Sequence, residues 1–171
     1  MSLKITGTGS CAPSSSVDNA FFERLVDTSD EWITARTGIK NRHILNGQTL
    51  SELAVKASKR ALESAGAEAG ELDLIICATM QGDYIIPSTG CVVQREIGAN
   101  CPAYDLNAAC AGFLFALDAA DGLISSGKYN KILIVCADQL SKFIDYSDRS
   151  TCVLFGDGAG AVVVERGDSL K

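Results

Sequence analysis

The chain has 171 residues, of which 47% are hydrophobic and 21% charged, and its formal net charge is −6. That is the size of one domain with a real core and the composition of an ordinary globular protein. The acidic balance argues against nucleic-acid binding, which needs a surplus of Lys and Arg, and no apolar run approaches the roughly 18 residues of a membrane helix.

The amino terminus, Met1-Ser2-Leu3-Lys4, carries no signal-peptide pattern, so a cytoplasmic protein is expected. Seven cysteines are present, at 11, 77, 91, 101, 110, 136 and 152. Their odd number and the lack of any Cys-x-x-Cys pair predict neither a disulfide framework nor a zinc site. There is one histidine, His43.

In chain order, the first predicted strand is Lys4–Gly7. Thr28-Ser29-Asp30-Glu31 then has the chemistry of a helix start ahead of Trp32, with Gly38 as the stop. Thr49-Leu50-Ser51-Glu52 is a capping box, after which Leu50, Leu53, Ala54, Ala57, Ala61 and Ala65 recur at helical spacing until Gly66. A strand over Leu72–Thr79 follows, then a helix from near Ser88 to Gly98 and a strand over Ala103–Leu106. A helix is expected from about Cys110 to Gly127 and a strand over Lys131–Ala137. Last come strands over Thr151–Phe155 and Ala161–Glu165, flanking Gly156-Asp157-Gly158-Ala159-Gly160 as a hairpin turn. Leu74–Ala78 and Ile132–Ala137 are continuously apolar, as strands covered on both faces are. Alternating strands and helices predict βαβ units on a mostly parallel sheet.

The segment Ala111-Gly112-Phe113-Leu114-Phe115-Ala116-Leu117 is apolar on every side for two helical turns. A helix hydrophobic all round is buried all round. A single sheet covers only one face of it, so a second half or another subunit is expected over the other.

Chemistry concentrates at Asp105-Leu106-Asn107-Ala108-Ala109-Cys110-Ala111-Gly112-Phe113. A short strand, a run of small residues and a helix form the layout of a nucleophile elbow. A helix amino terminus stabilises a thiolate, and a thiolate can carry an acyl group as a thioester. Spacing alone leaves the alternative open that Cys110 is one more core cysteine, as Cys77 and Cys136 are read to be. Gly7-Thr8-Gly9-Ser10-Cys11-Ala12 formally matches a dinucleotide fingerprint, but Pro13 and serines follow where a helix should open. A turn requiring positive φ is the better reading. Trp32 lies near Arg36, Lys40 and Arg42. An indole among cations suits a phosphorylated, base-containing ligand, but taken alone it is better read as a half-buried tryptophan with solvated charges around it.

Four stretches in combination resemble the β-ketoacyl-acyl-carrier-protein synthase III family of condensing enzymes. They are Gly7-Thr8-Gly9-Ser10, then Asp27-Thr28-Ser29-Asp30-Glu31-Trp32-Ile33 with Arg36-Thr37-Gly38-Ile39, then Ala108-Ala109-Cys110-Ala111-Gly112-Phe113, and Phe155-Gly156-Asp157-Gly158-Ala159-Gly160-Ala161. The resemblance implies an α/β, thiolase-like fold, with residues 1–171 as its amino-terminal half. It implies that Cys110 takes an acyl group, typically acetyl, from acyl-coenzyme A as substrate, and that no cofactor is permanently bound. The acyl enzyme would then condense decarboxylatively with malonyl-acyl-carrier protein. Thr28, Trp32, Arg36 and Arg149 would hold the nucleotide end of coenzyme A, and the Cys110 N–H would supply one oxyanion donor. Leu140 would line the acyl pocket, and Ile86 would reach a partner subunit in a homodimer. The family completes its site with a His, an Asn and a glycine N–H from a carboxy-terminal half, and nothing after Gly167 matches them. These residues alone are therefore expected not to complete the condensation. A related polyketide, quinolone or long-ketone condensing enzyme, and a non-catalytic scaffold half-domain, are the competing expectations.

Overall fold

A computed structural model describes residues 3–167. In chain order the elements are β1 (Leu3–Cys11), β2 (Ser16–Asp18), α1 (Asn19–Glu23), α2 (Asp30–Thr37), β3 (Asn41–His43), α3 (Leu50–Ala65), β4 (Leu74–Ala78), α4 (Thr89–Ile97), β5 (Ala103–Leu106), α5 (Gly112–Ser125), β6 (Lys131–Gln139), α6 (Arg149–Cys152) and β7 (Asp157–Arg166). They form two compact units. Of the described residues, one contains 3–11, Thr49–Asp138 and 159–167; the other contains Ala12–Gln48 and Gln139–Gly158.

The first unit is built on a five-stranded sheet in the order β1-β7-β6-β4-β5. β4 runs parallel to both β5 and β6, as the apolar runs predict, while β1 pairs antiparallel with β7. Every residue of β4 is buried, which is what a central strand covered on both faces requires. The capping box at Thr49 and Glu52 forms as read, and α3 ends on a left-handed Gly66. On α5, Ala116, Ala120 and Ile124 pack with Leu74, Ile76, Ile132, Ile134 and Val164. The opposite face of α5 is open: Leu114 is 65% exposed and Phe115 56%. Within these residues α5 is therefore buried on one face rather than all round.

Gly7 and Gly9 lie inside β1 rather than in a turn, and neither is among the positive-φ glycines. Their requirement is space. A Cβ on Gly7 would sit 2.3 Å from the Ala61 carbonyl oxygen, and one on Gly9 would sit 2.2 Å from that of Ala57. Glycine is the residue that lets β1 lie directly on the α3 backbone.

The second unit pairs β2 with β3 antiparallel, Ser16 opposite His43, around a core of Phe22, Ile33, Cys152 and Val153. Arg42 is the hub of this unit rather than a surface cation. Its guanidinium is buried, donates to the Val153 carbonyl and the Asn19 side chain, and lies 4.7 Å from the Phe22 ring centroid. His43 closes β3, with its Nδ1 2.7 Å from the Pro13 carbonyl oxygen, a structural contact. The strand expected at Thr151–Phe155 is absent. One helical turn, α6, runs into its start from Arg149, because the Asp148 side chain accepts from the Ser150 amide and from the Ser150 and Thr151 hydroxyls. The hairpin expected at Gly156–Gly160 is likewise replaced, since β7 already begins at Asp157.

Three carboxyls of the second unit sit below the usual aspartate value of 3.8. Asp30 is held down by the Asn19 amide and then Lys40, Asp145 by the Ser147 hydroxyl, and Asp148 by the Ser150 and Thr151 hydroxyls. A carboxyl whose folded value is depressed contributes stability above its unfolded value and loses it as pH falls through the folded one. Acid should therefore loosen this unit below pH 3.8, and the emission of Trp32, the one tryptophan in the sequence, should report it in an acid titration. Emission unchanged down to pH 2 would count against these bonds as stabilisers.

Candidate active site

Cys110 lies in a 3-10 turn, Ala109–Ala111, between β5 and α5. It therefore precedes the helix rather than opening it. Cys110 is exposed, whereas Cys77 is buried, as its apolar strand predicts, and Cys136 is half-buried. Burial pushes the Cys77 thiol well up and that of Cys136 to about 11, so neither is a thiolate near neutral pH. The residue ahead of the thiol, Ala109, has φ +47°. A non-glycine residue in the left-handed region costs about 1–2 kcal/mol, and such strain clusters at functional turns.

The sharp turn is possible because its neighbours are small. A Cβ on Gly112 would lie 3.0 Å from the Ala78 Cβ at the end of β4. The amides after Cys110 close the turn internally, Ala111 N–H onto Ala108 O and Gly112 N–H onto Ala109 O. No side chain caps α5, so no capping group offsets the positive end of its dipole.

The predicted nucleotide residues belong to the second unit. Ser29 accepts from the Trp32 amide and starts α2, with Gly38 in the left-handed region as its stop. That puts Trp32 and Arg36 one turn apart on the same helix face, with the Arg36 guanidinium carbon 5.0 Å from the ring centroid. Arg149, at the start of α6, brings its own to 4.2 Å. The spacing around Trp32 had grouped Lys40 and Arg42 with it. The structure does not: Lys40 pairs with Asp30 at 3.0 Å, and Arg42 is the buried hub described above. Thr28 Oγ1 and Arg149 Nε are buried without any hydrogen-bond partner. A buried polar group left unmet costs about 1–3 kcal/mol; Ser51 Oγ and Thr89 Oγ1 of the first unit are unmet in the same way.

Leu140 lies in a 3-10 turn, half-buried. Ile86 is 87% exposed and Ile85 95%, on the loop between β4 and α4. Asp83 holds this loop by accepting from the Leu50 and Ser51 amides. Sequence reasoning missed three carboxylates that fix main chain. Asp105 takes the Thr89 and Gly90 amides, Asp138 the Met80 amide, and Asp157 the Leu45 and Ser141 amides. Their one signal is an acidic residue within or just past an apolar strand.

The family model described as 3-oxoacyl-[acyl-carrier-protein (ACP)] synthase III matches residues 104–171. A β-ketoacyl-[acyl-carrier-protein] synthase III of Neisseria meningitidis serogroup C is 51% identical over 168 residues, which cover 96% of this chain and 52% of that protein. The crystal structure of 3-oxoacyl-[acyl-carrier-protein] synthase III from Aquifex aeolicus superposes with a TM-score of 0.95 at 50% identity, covering 98% of this chain and 55% of the other. Over nearly its whole length the chain is similar to the 3-oxoacyl-[acyl-carrier-protein] synthase III family. Its fold is that family's thiolase-like α/β fold. A priming β-ketosynthase from a polyketide biosynthetic pathway shares the fold at a TM-score of 0.92 and 39% identity, covering 97% of this chain and 50% of that one. The chain spans about half the length of the curated synthase III relatives it matches. Among the described residues no helix is long and apolar enough to cross a membrane, and no cluster of His, Cys, Asp and Glu suits a metal ion.

Proposed function

We propose that this chain carries the acyl-accepting part of a β-ketoacyl-acyl-carrier-protein synthase III, an acyltransferase that begins fatty-acid synthesis in the cytoplasm. The observation that carries the reading is the exposed Cys110 on a strained turn ahead of an uncapped helix. The Cys110 thiolate attacks the thioester carbonyl of acetyl-coenzyme A. The oxyanion that forms is met by the Cys110 N–H, as a backbone donor in an oxyanion hole meets developing charge. The carbonyl then re-forms, coenzyme A leaves as its thiolate and takes up a proton, and the acetyl group stays on Sγ as a thioester.

Trp32 stacks on the adenine, Arg36 and Arg149 pair with its phosphates, and Thr28 supplies a hydroxyl. Two of these residues, Thr28 and Arg149, carry the unmet polar atoms noted above, which supports the assignment. An adenine on the Trp32 face displaces a guanidinium, which is then free for phosphate. Stacking a base on an aromatic ring contributes about 1–3 kcal/mol. Trp32→Ala should therefore weaken coenzyme A binding about tenfold or more in titration calorimetry. Equal binding by both proteins would remove the indole from the nucleotide site.

Condensation with malonyl-acyl-carrier protein is the second step of the proposed reaction. The His–Asn pair assigned to it by family resemblance has no counterpart among the described residues, where the one histidine, His43, is bonded to Pro13. We expect these 171 residues alone to stop at the acyl enzyme. The exposed Leu114 and Phe115 fit a covering carboxy-terminal half, and the exposed Ile85 and Ile86 fit the second copy of a homodimer. The fatty-acid reading stands ahead of the polyketide one because the relatives near 50% identity bear the synthase III name, against 39% for the priming ketosynthase.

A further inference from the structure

The turn that carries Cys110 is tied to the end of β4 at three points. The Thr79 amide donates to the Leu106 carbonyl at 3.1 Å, at the last residue of β5. The Asn107 side-chain amide donates to the Met80 carbonyl at 3.1 Å. Gly112 meets Ala78 in the tight contact already described. The end of β4 is in turn held from β6. Asp138 Oδ1 accepts from the Met80 amide at 2.8 Å and from the Thr79 hydroxyl at 3.4 Å. Met80 is thus gripped at both ends of its main chain, by Asp138 at its N–H and by Asn107 at its carbonyl.

Asn107 stands three residues before Cys110, and the strained Ala109 lies between them. A strained residue persists only where its surroundings over-determine it, and this pair of side chains supplies a restraint that neighbouring main chain does not. Burial pushes the Asp138 carboxyl up, offset in part by the Met80 and Thr79 bonds. A half-buried carboxyl is retained at a cost there, as groups that position functional residues commonly are.

We infer that Asp138 and Asn107 are positioning residues for the Cys110 nucleophile, acting together through the main chain of Met80. The inference rests on the proposed role of Cys110 as acyl acceptor. It requires the Oδ1 acceptor of residue 138 rather than its charge, and the side-chain donor of residue 107.

The test is the rate at which the purified chain takes up acetyl from a small thioester lacking the nucleotide, and carbamidomethyl from iodoacetamide, both read on the Cys110 peptide by mass spectrometry. Asn107→Ala and Asp138→Leu should each slow both reactions about tenfold, as a slightly misplaced reacting group does. Asp138→Asn keeps the acceptor and should restore the rate to within about twofold of the parent chain. Because both residues act through Met80, the double variant should lose no more than either single one, within about twofold. The control is Asp73→Ala, which removes the same kind of bond at the opposite end of β4, where Asp73 accepts from the Asn130 and Lys131 amides. It should lower the melting temperature without slowing Cys110. Asn107 is exposed, so its replacement leaves folding intact even if Asp138→Leu does not fold. Parent rates in Asn107→Ala, or equal slowing by Asp73→Ala, would overturn the inference. A parent chain that is alkylated but never acetylated would instead overturn the acyl-acceptor reading, and the alkylation rates would still decide the positioning claim.

Discussion

Cys110→Ala is expected to remove acyl transfer to the chain entirely. Incubated with radiolabelled acetyl-coenzyme A, the parent protein should retain label through denaturation, and the variant should retain none above background. The expectation is steep because nothing else in the described residues can substitute. Among the other cysteines Cys11, Cys77, Cys101 and Cys152 are buried and Cys91 and Cys136 half-buried. Burial also raises the thiols of Cys77, Cys101, Cys136 and Cys152, which keeps them protonated and unreactive. Folding should survive, since an exposed thiol contributes little packing. A scaffold role predicts the reverse, with no label on either protein. Label retained by Cys110→Ala would move the acyl site elsewhere.

The second large effect concerns stability. Gly9→Ala should destabilise the chain by about 3–5 kcal/mol, at the upper end for a single substitution. The added Cβ would lie 2.2 Å from the Ala57 carbonyl oxygen and 2.5 Å from the Ala61 nitrogen. Both are main-chain atoms of a hydrogen-bonded helix, so neither can yield as a side-chain end can. Relief requires α3 to lift off β1, which opens the first unit. For a chain of this length the melting temperature should fall by about 10 °C. Gly38→Ala is the instructive contrast. No atom lies within 4 Å of a Cβ there, and the cost comes only from φ +73°, about 1 kcal/mol. Equal losses at the two positions would contradict the space argument for Gly9.

These two glycines also show how far the sequence could be read. A glycine doublet after a strand looks the same whether it serves a turn or a close approach, because the distinguishing partner, α3, lies some fifty residues away. Long periodic segments were legible. The capping box at Thr49 and the apolar runs of β4 and β6 state their structure locally, and the structure follows them. Thr151–Phe155 was not, since its five residues carry strand-like side chains while Asp148, just outside, caps a helical turn. The apolar residues 111–117 predict a helix buried all round, and the described residues cover only one face of it.

The candidate site divides in the same way. The strand, small residues and helix start around Cys110 mark a candidate nucleophile, but spacing alone leaves it open as one more core cysteine, a reading that the exposure of its thiol disfavours. Trp32 with Arg36 followed from helical spacing, while Arg149 came only through family resemblance, since no local pattern links it to a ring 117 positions earlier. Arg42 was misplaced with the Trp32 cations because β3 turns it inward onto Val153 and Phe22. Asp138 shows in the sequence only as an acidic residue within an apolar strand, and Asn107 not at all, because a hydrogen bond to a main-chain amide or carbonyl is blind to the sequence it contacts.

The central claim is that Cys110 alone accepts the acyl group. Peptide mass mapping of the chain after incubation with acetyl-coenzyme A tests it most directly. The account predicts one acetyl group per chain, on the Cys110 peptide, labile to hydroxylamine as a thioester is. Acetyl on any other cysteine, or none on Cys110 in a folded chain that binds coenzyme A, would contradict it.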